Sequence, residues 1–162
     1  MSKVKFGGIF HIQHLDKDGN IKNEFDAPNG ITNVGLNHIL DTQFNGGTAV
    51  DPWYVGLIDN AAFSALAAAD TMASHAGWAE SAAYTEGTRV EWTAGAASGR
   101  AVTNAATLDF SINATVTING IFVTSVNTKS GTTGVLWATA SFSSAVSATN
   151  GDTLKVTYTV SG

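Results

Sequence analysis

The stretch Leu154-Lys155-Val156-Thr157-Tyr158-Thr159-Val160 alternates apolar and polar residues from end to end. Successive side chains of an extended strand point to opposite faces, so its four apolar side chains share one face while Lys155 and the two threonines share the other. The stretch therefore predicts a half-exposed β-strand. Such a strand needs neighbouring strands for its backbone and an apolar layer against its buried face.

Similar short segments occur throughout the second half of the chain. From residue 88 onward, segments rich in β-branched and aromatic residues are separated by turn sequences. These segments are residues 90–92, 108–110, 116–118, 121–126 and 135–142, and the turns contain Asn119-Gly120, residues 131–134 and Asn150-Gly151. Short, evenly spaced strands with polar turns are typical of sandwiches and jelly rolls. We therefore predict an all-β fold, an antiparallel β-sandwich or jelly roll with one or two short helices and an N-terminal hairpin.

The first 47 residues predict that hairpin and a helix after it. The turn sequence Asp16-Lys17-Asp18-Gly19-Asn20 separates two β-prone segments, so residues 1–30 are predicted to form the hairpin. Residues 31–47 predict a short helix, which Thr32 or Asn33 can cap and Asn45-Gly46-Gly47 can end. Its apolar residues recur at helical spacing and are Val34, Leu36, Ile39, Leu40 and Phe44.

Residues 51–162 predict a β-rich body within the same single domain, which spans residues 1–162. No linker or block of like charges divides the sequence, and its length suits one domain. The alanine-rich segment 61–83 is the exception to the β pattern. Its composition favours helices with a break at Asp70-Thr71, but two helices, one helix and an ordered loop all remain open.

Composition bears on the possible partners. Charged residues make up 13% of the chain, about half of the roughly 25% usual for soluble domains. A foldable chain so poor in charge exposes a surface of small polar and apolar side chains, or covers that surface with other subunits. The net charge of −5 argues against a basic surface for phosphates, and no apolar run is long enough to span a membrane. We therefore expect neither nucleic acid nor a membrane as partner.

Motifs that would carry chemistry are weak. The chain has no cysteine, which excludes thiolate metal sites and a cysteine nucleophile. His11 and His14 fall on opposite faces of a strand, and the Asp16 turn lacks the glycine and glutamate positions of a calcium loop. A hydrolase could use Glu86 and Glu91 as acid and base, but their spacing alone defines no site. We predict no catalytic residue, no metal and no cofactor, and hence no enzyme.

Aromatic residues suggest contacts with other molecules. Four tryptophans are many for this length, and core packing is their first interpretation. Trp78 and Tyr84, however, lie in an irregular region rich in glycine, alanine and serine. They could anchor a subunit interface or, together with Trp92, stack on sugar rings.

Several segments resemble a family of small virion proteins of tailed bacteriophages, and the resemblance covers nearly the whole chain. The segments are Phe6-Gly7-Gly8 with the Asp18-Gly19-Asn20 turn, the predicted helix at residues 33–40, Trp53-Tyr54-Val55-Gly56-Leu57-Ile58-Asp59, residues 67–78 (AAADTMASHAGW), and residues 150–158. The resemblance implies no catalytic residues. The role it implies most directly is that of a capsid decoration, or cement, protein: a β-sandwich on the outer surface of the phage head that bridges subunits of the major capsid protein.

That role predicts partners and contact residues. The partners would be the major capsid protein and further copies of this chain, as a dimer or trimer, and assembly would take place in the host cytoplasm. A terminal hairpin can pair with a neighbour by adding strands to its sheet. The predicted interface residues are therefore Phe6, Ile9, Ile12 and Phe25 of the hairpin, with Trp78 and Tyr84. The alternative is a tail or fibre component with a carbohydrate-binding or receptor-binding β-sandwich.

Overall fold

A computed structural model of the chain describes residues 5–162. Within these residues there is one helix, α1 (Asn33–Phe44), and the rest of the regular structure is strand. The strands are β1 (Gly7–Leu15), β2 (Ile21–Pro28), β3 (Gly30–Ile31), β4 (Trp53–Asp59), β5 (Glu80–Ser81), β6 (Val90–Trp92), β7 (Ala101–Thr103), β8 (Leu108–Ser111), β9 (Val116–Thr124), β10 (Leu136–Ala148) and β11 (Thr153–Ser161). The predicted all-β fold is confirmed.

The strands form two antiparallel sheets that face each other as a sandwich. Sheet A has the order β2-β1-β11-β7, with β8 also paired to β11. Sheet B has the order β3-β10-β9-β4-β5, with β6 also paired to β4. The alternating stretch 154–160 lies in β11, and its apolar side chains Leu154, Val156 and Tyr158 are fully buried between the sheets. The half-exposed strand predicted there is confirmed.

Tyr158 lies at the centre of the core between the sheets. Its ring stacks on that of Phe10 at a centroid distance of 4.2 Å. Its hydroxyl accepts hydrogen bonds from the indole of Trp137 at 2.9 Å and from the side-chain amide of Asn29 at 2.6 Å. Buried polar groups of this kind destabilise a core unless they are paired. Tyr158 and Trp137 are thus held in the interior by specific partners.

The N-terminal hairpin forms as predicted but is part of the sandwich. Strand β1 pairs with β2 on one side and along its whole length with β11 on the other. On its outer face, His11 lies between Asp26 and Glu24, at 2.6 and 2.7 Å. These hydrogen bonds raise the pKa of His11, and the one to Asp26 has the larger effect. Residues 1–4 of the predicted 1–30 hairpin lie outside the described residues.

Helix α1 begins and ends where the sequence predicts. The Thr32 hydroxyl accepts a hydrogen bond from the Gly35 N–H at 3.0 Å, so Thr32 is the N-cap. At the other end, Asn45 caps the helix and Gly46 adopts a positive φ of 71°. A Cβ atom at Gly35 would lie 2.6 Å from the carbonyl oxygen of Trp137. The first turn of the helix therefore rests directly on the backbone of β10.

The alanine-rich segment is an ordered loop. Residues 61–79, all of them described, contain no helix. The Asp70 carboxylate accepts hydrogen bonds from the Ala67 N–H at 2.9 Å and from the Trp78 indole at 3.0 Å. Such side-chain hydrogen bonds compete with helix formation. The helices that the composition favours are therefore wrong for this segment, and the loop interpretation is confirmed.

This loop covers the outer face of sheet B. Met72 and Trp78 pack there against Ile58, Phe122 and Leu136, which form a second apolar cluster with no contribution from sheet A. Both faces of strands β4 and β9 are consequently buried. The molecule has three layers: sheet A, sheet B, and the loop together with α1.

Candidate interaction surface

One face of α1 is apolar and exposed. Leu36, Leu40 and Phe44 are 39%, 54% and 79% exposed, and their spacing of four residues places them on the same side of the helix. We call these three residues the helix stripe. Other positions of the helix are used for packing, since Val34 and Ile39 contact the two apolar clusters. The helix therefore carries more apolar side chains than its own sandwich can cover.

An apolar groove adjoins the end of the helix stripe. Its volume is about 420 Å³, and it is lined by Leu40 and Phe44 of the stripe, by Phe6, by Trp53 and by Val50. Phe6, the second residue the structure describes, is 48% exposed. We call the helix stripe, Phe6 and this groove the docking face. Contiguous exposed apolar surface of this kind marks interaction sites on soluble proteins.

A second recess opens beside the groove and shares Trp53 and Val50 with it. Its volume is about 300 Å³, and three tryptophans from three strands line it: Trp53 of β4, Trp92 of β6 and Trp137 of β10. Asp51 is the charged residue among its lining residues. We call this recess the tryptophan pocket.

The predicted interface residues divide into two groups. Phe6 is exposed and lies on the docking face, and Ile9 is exposed on the outer face of sheet A. Phe25 is half-buried with its ring edge against Phe142 at 4.9 Å. Ile12, Trp78 and Tyr84, in contrast, are at most 3% exposed.

The interface interpretation is wrong for the buried group for specific reasons. Ile12 points inward from β1, Tyr84 packs edge-on against Phe110 at 5.1 Å, and the indole of Trp78 points from the 61–79 loop into the second apolar cluster. Their side chains offer no surface to a partner in this fold. Trp92 is 7% exposed, so the suggested stacking platform of Trp78, Tyr84 and Trp92 is also closed.

The sequence does not identify the helix stripe, because helical spacing shows that apolar residues share a face but not which face meets the sandwich. The predicted helix has apolar residues at two sets of positions, 34 and 39, and 36, 40 and 44. A short helix on a sheet surface buries one stripe of side chains. A second stripe on the same helix was therefore the available signal for an interaction surface.

The carboxylates considered for hydrolysis do not converge. Glu86 accepts hydrogen bonds from the Ser111 N–H at 3.1 and 3.2 Å, and Glu91 accepts one from the Thr93 hydroxyl at 3.3 Å. Within residues 5–162 no three histidine or acidic side chains are grouped so as to hold a metal ion. The polar clusters in this part of the chain connect loops and strands to each other.

A buried carboxylate connects the hairpin to the last turn. Nε2 of His14 lies 2.7 Å from Oδ2 of Asp152, which also accepts hydrogen bonds from the Thr149 N–H at 3.0 Å and the Lys22 ammonium at 3.3 Å. Burial alone would raise the pKa of Asp152. The hydrogen bonds from His14, Thr149 and Lys22 outweigh burial and lower that pKa from 3.8 to about 2.

This network predicts a loss of stability in acid. Because the unfolded chain binds a proton at Asp152 before the folded chain does, the stability from this carboxylate is complete above pH ~4–5 and falls as the pH approaches 2. The wild-type protein and Asp152→Asn should be compared by urea denaturation at about pH 5 and about pH 2. The difference between their free energies of unfolding should shrink by about 2 kcal/mol at the lower pH. A difference that stays constant, as expected for the exposed control Asp109→Asn, would contradict this role.

Comparison with known proteins adds no family. Neither a protein-family model nor a curated protein matches this chain. Among residues 5–162, the single helix is too short and too polar to cross a lipid bilayer.

Proposed function

We propose that the chain is a non-enzymatic structural protein of a tailed bacteriophage virion, a capsid decoration protein. It binds the outer surface of the head, bridges subunits of the major capsid protein, and assembles there in the host cytoplasm. The observation that carries the proposal is the docking face: Phe6, Leu40 and Phe44 expose apolar side chains around one groove, and Leu36 extends this surface along the helix. Water-exposed apolar side chains stabilise an assembly when a partner covers them.

Two features of the sequence support this role. The low charge content suits a surface that lies against other protein, because interface cores are depleted in charged residues. The resemblance to small virion proteins spans nearly the whole chain and includes the predicted helix. Self-association as a dimer or trimer on the shell belongs to the same proposal.

The hairpin contributes to this proposal in a restricted way. Since β1 pairs along its whole length with β11, deleting the hairpin would remove a central strand of sheet A and unfold the sandwich. Contact with the shell is therefore assigned to side chains that are exposed in the folded chain. The free edge of β2 carries Lys22, Glu24 and Asp26, and charges on an edge strand oppose pairing with another sheet.

The test is binding of variants to purified phage heads. Leu40→Ser combined with Phe44→Ser should weaken binding at least about tenfold, since burying each such side chain contributes about 1.5 kcal/mol or more. The matched control is Ile21→Ser, because Ile21 of β2 is 54% exposed like Leu40 but lies outside the docking face. The control should bind heads like the wild-type chain.

The same experiment defines what would contradict the proposal. Unchanged head binding by the double variant, with a circular dichroism spectrum like that of the wild-type chain, would exclude the docking face as the contact. Electron microscopy of particles then locates the bound chain. Density between capsid subunits on the head supports the proposal, and density confined to the tail or a fibre tip overturns it in favour of the alternative role.

A further inference from the structure

The tryptophan pocket differs from the docking groove in its lining, which contains three tryptophans and one carboxylate. Trp53 and Trp92 are directly opposite each other on β4 and β6, and the Trp53 and Trp137 rings lie 6.1 Å apart at 48°. Together they line a recess of about 300 Å³ whose other walls are mainly aliphatic. Asp51 lies among the lining residues and is itself exposed.

Two of the three indoles of the pocket are almost fully buried, Trp92 at 7% and Trp137 at 5% exposed, and their hydrogen-bond donors have partners inside the protein. The Nε1–H of Trp92 donates to Oδ1 of Asn104 at 2.7 Å, and that of Trp137 donates to the Tyr158 hydroxyl at 2.9 Å. Both donors are therefore occupied inside the protein. What remains for a ligand is the half-buried Trp53, whose ring attracts cations, and the exposed carboxylate of Asp51.

The carboxylate of Asp51, the one charged group among the described residues that line the pocket, favours a cationic side chain as the occupant. A neutral apolar group would remove water from the Asp51 carboxylate without replacing it, which costs free energy. A cation avoids that cost and also gains attraction from the Trp53 ring. Within residues 5–162, Asp51 forms no ion pair of its own. The net charge of −5 also favours approach of a basic segment.

We propose that the tryptophan pocket binds an arginine side chain of the protein on which the chain docks. The planar guanidinium stacks on aromatic rings, binds carboxylates through two parallel hydrogen bonds, and is less strongly hydrated than the ammonium of lysine. Arginine and tryptophan are also enriched among the residues that dominate binding energy at interfaces. The pocket shares Trp53 and Val50 with the docking groove, so one partner segment can reach both. This inference rests on the proposed function, because the arginine belongs to the docked protein.

The test uses a pair of probes that differ only in charge at the side-chain end. Nα-acetyl-argininamide and its neutral near-isostere Nα-acetyl-citrullinamide are titrated, up to about 50 mM, into the full-length ¹⁵N-labelled chain. The indole N–H signals of the four tryptophans report binding. The arginine probe should shift the Trp53 signal, and the citrulline probe should bind at least about tenfold more weakly.

Two variants complete the test. Asp51→Asn should reduce the affinity for the arginine probe to that for the citrulline probe, whereas Asp109→Asn, an exposed carboxylate on sheet A, should leave it unchanged. Equal binding of the two probes, no shift with either, or equal effects of the two variants would each overturn the inference. Head binding that is lost in the Leu40 and Phe44 double variant and retained in Asp51→Asn would preserve the proposed function while rejecting the arginine. A wild-type chain that binds the probe but no heads would instead reject the proposed function.

Discussion

Replacing Arg89 by alanine should lower the free energy of unfolding by about 3–5 kcal/mol. The Arg89 guanidinium donates to both carboxylate oxygens of Glu80, at 3.0 and 2.7 Å, and to the backbone carbonyls of Val126 and Gly131, at 2.8 and 3.0 Å. The side chains of Arg89 and Glu80 are 0% and 6% exposed. Removing the cation leaves the buried Glu80 carboxylate with no paired charge and with the Ser130 N–H at 2.8 Å as its remaining donor, which is the cause of the large loss.

The matched control for this variant is an exposed ion pair. Lys155 and Asp109 lie 3.4 Å apart with both side chains more than a third exposed, so Lys155→Ala should cost no more than about 1 kcal/mol. Urea denaturation at neutral pH measures both changes. Adding Glu80→Gln to Arg89→Ala removes the buried charge and should recover part of the loss. If Arg89→Ala cost no more than Lys155→Ala, the buried pair would not be a major source of stability.

The strands and the helix follow closely from local patterns in the sequence. The alternation in β11, the turn at residues 16–20 and a cap at Thr32 or Asn33 all depend on neighbouring residues, and the structure agrees with each, with Thr32 as the cap. Pairing between distant segments depends on the whole chain. The inward-facing pattern of β1 is compatible with a protruding hairpin or a central strand, and only the partner β11 decides between them.

The alanine-rich loop shows where composition is insufficient. Alanine favours a helix in isolation, but the gain per residue is a few tenths of a kcal/mol. Burial of Trp78 and Met72 over sheet B contributes about 1.5–3 kcal/mol for each side chain. Tertiary packing therefore decides the conformation of residues 61–79. Tertiary packing also decides the candidate site, since Trp78 and Tyr84 are buried in the interior while the helix stripe is left outside.

Replacing Trp78 by alanine should destabilise the protein by about 3–5 kcal/mol, because the indole fills the cluster between the loop and sheet B. Its ring stacks on His75 at 3.8 Å and packs on Phe122 at 5.1 Å. Its N–H donates to Asp70, which the variant leaves without that donor. Trp78→Phe should lose less, since it retains most of the ring volume. Urea denaturation followed by far-UV circular dichroism measures all three proteins.

Comparing Trp78→Ala with Phe44→Ala separates stability from docking. Phe44 is 79% exposed, so its replacement should change the free energy of unfolding by no more than about 0.5 kcal/mol while weakening head binding. Trp78→Ala should lower the free energy of unfolding and leave head binding unchanged at temperatures where the variant remains folded. The Trp78 ring is buried against sheet B and offers no surface to a partner. If Trp78 were the interface anchor that its irregular sequence context suggests, Trp78→Ala would weaken head binding and Phe44→Ala would not. A folded Trp78→Ala variant that retains full stability and loses head binding would place Trp78 at the contact and refute its assignment to the second apolar cluster.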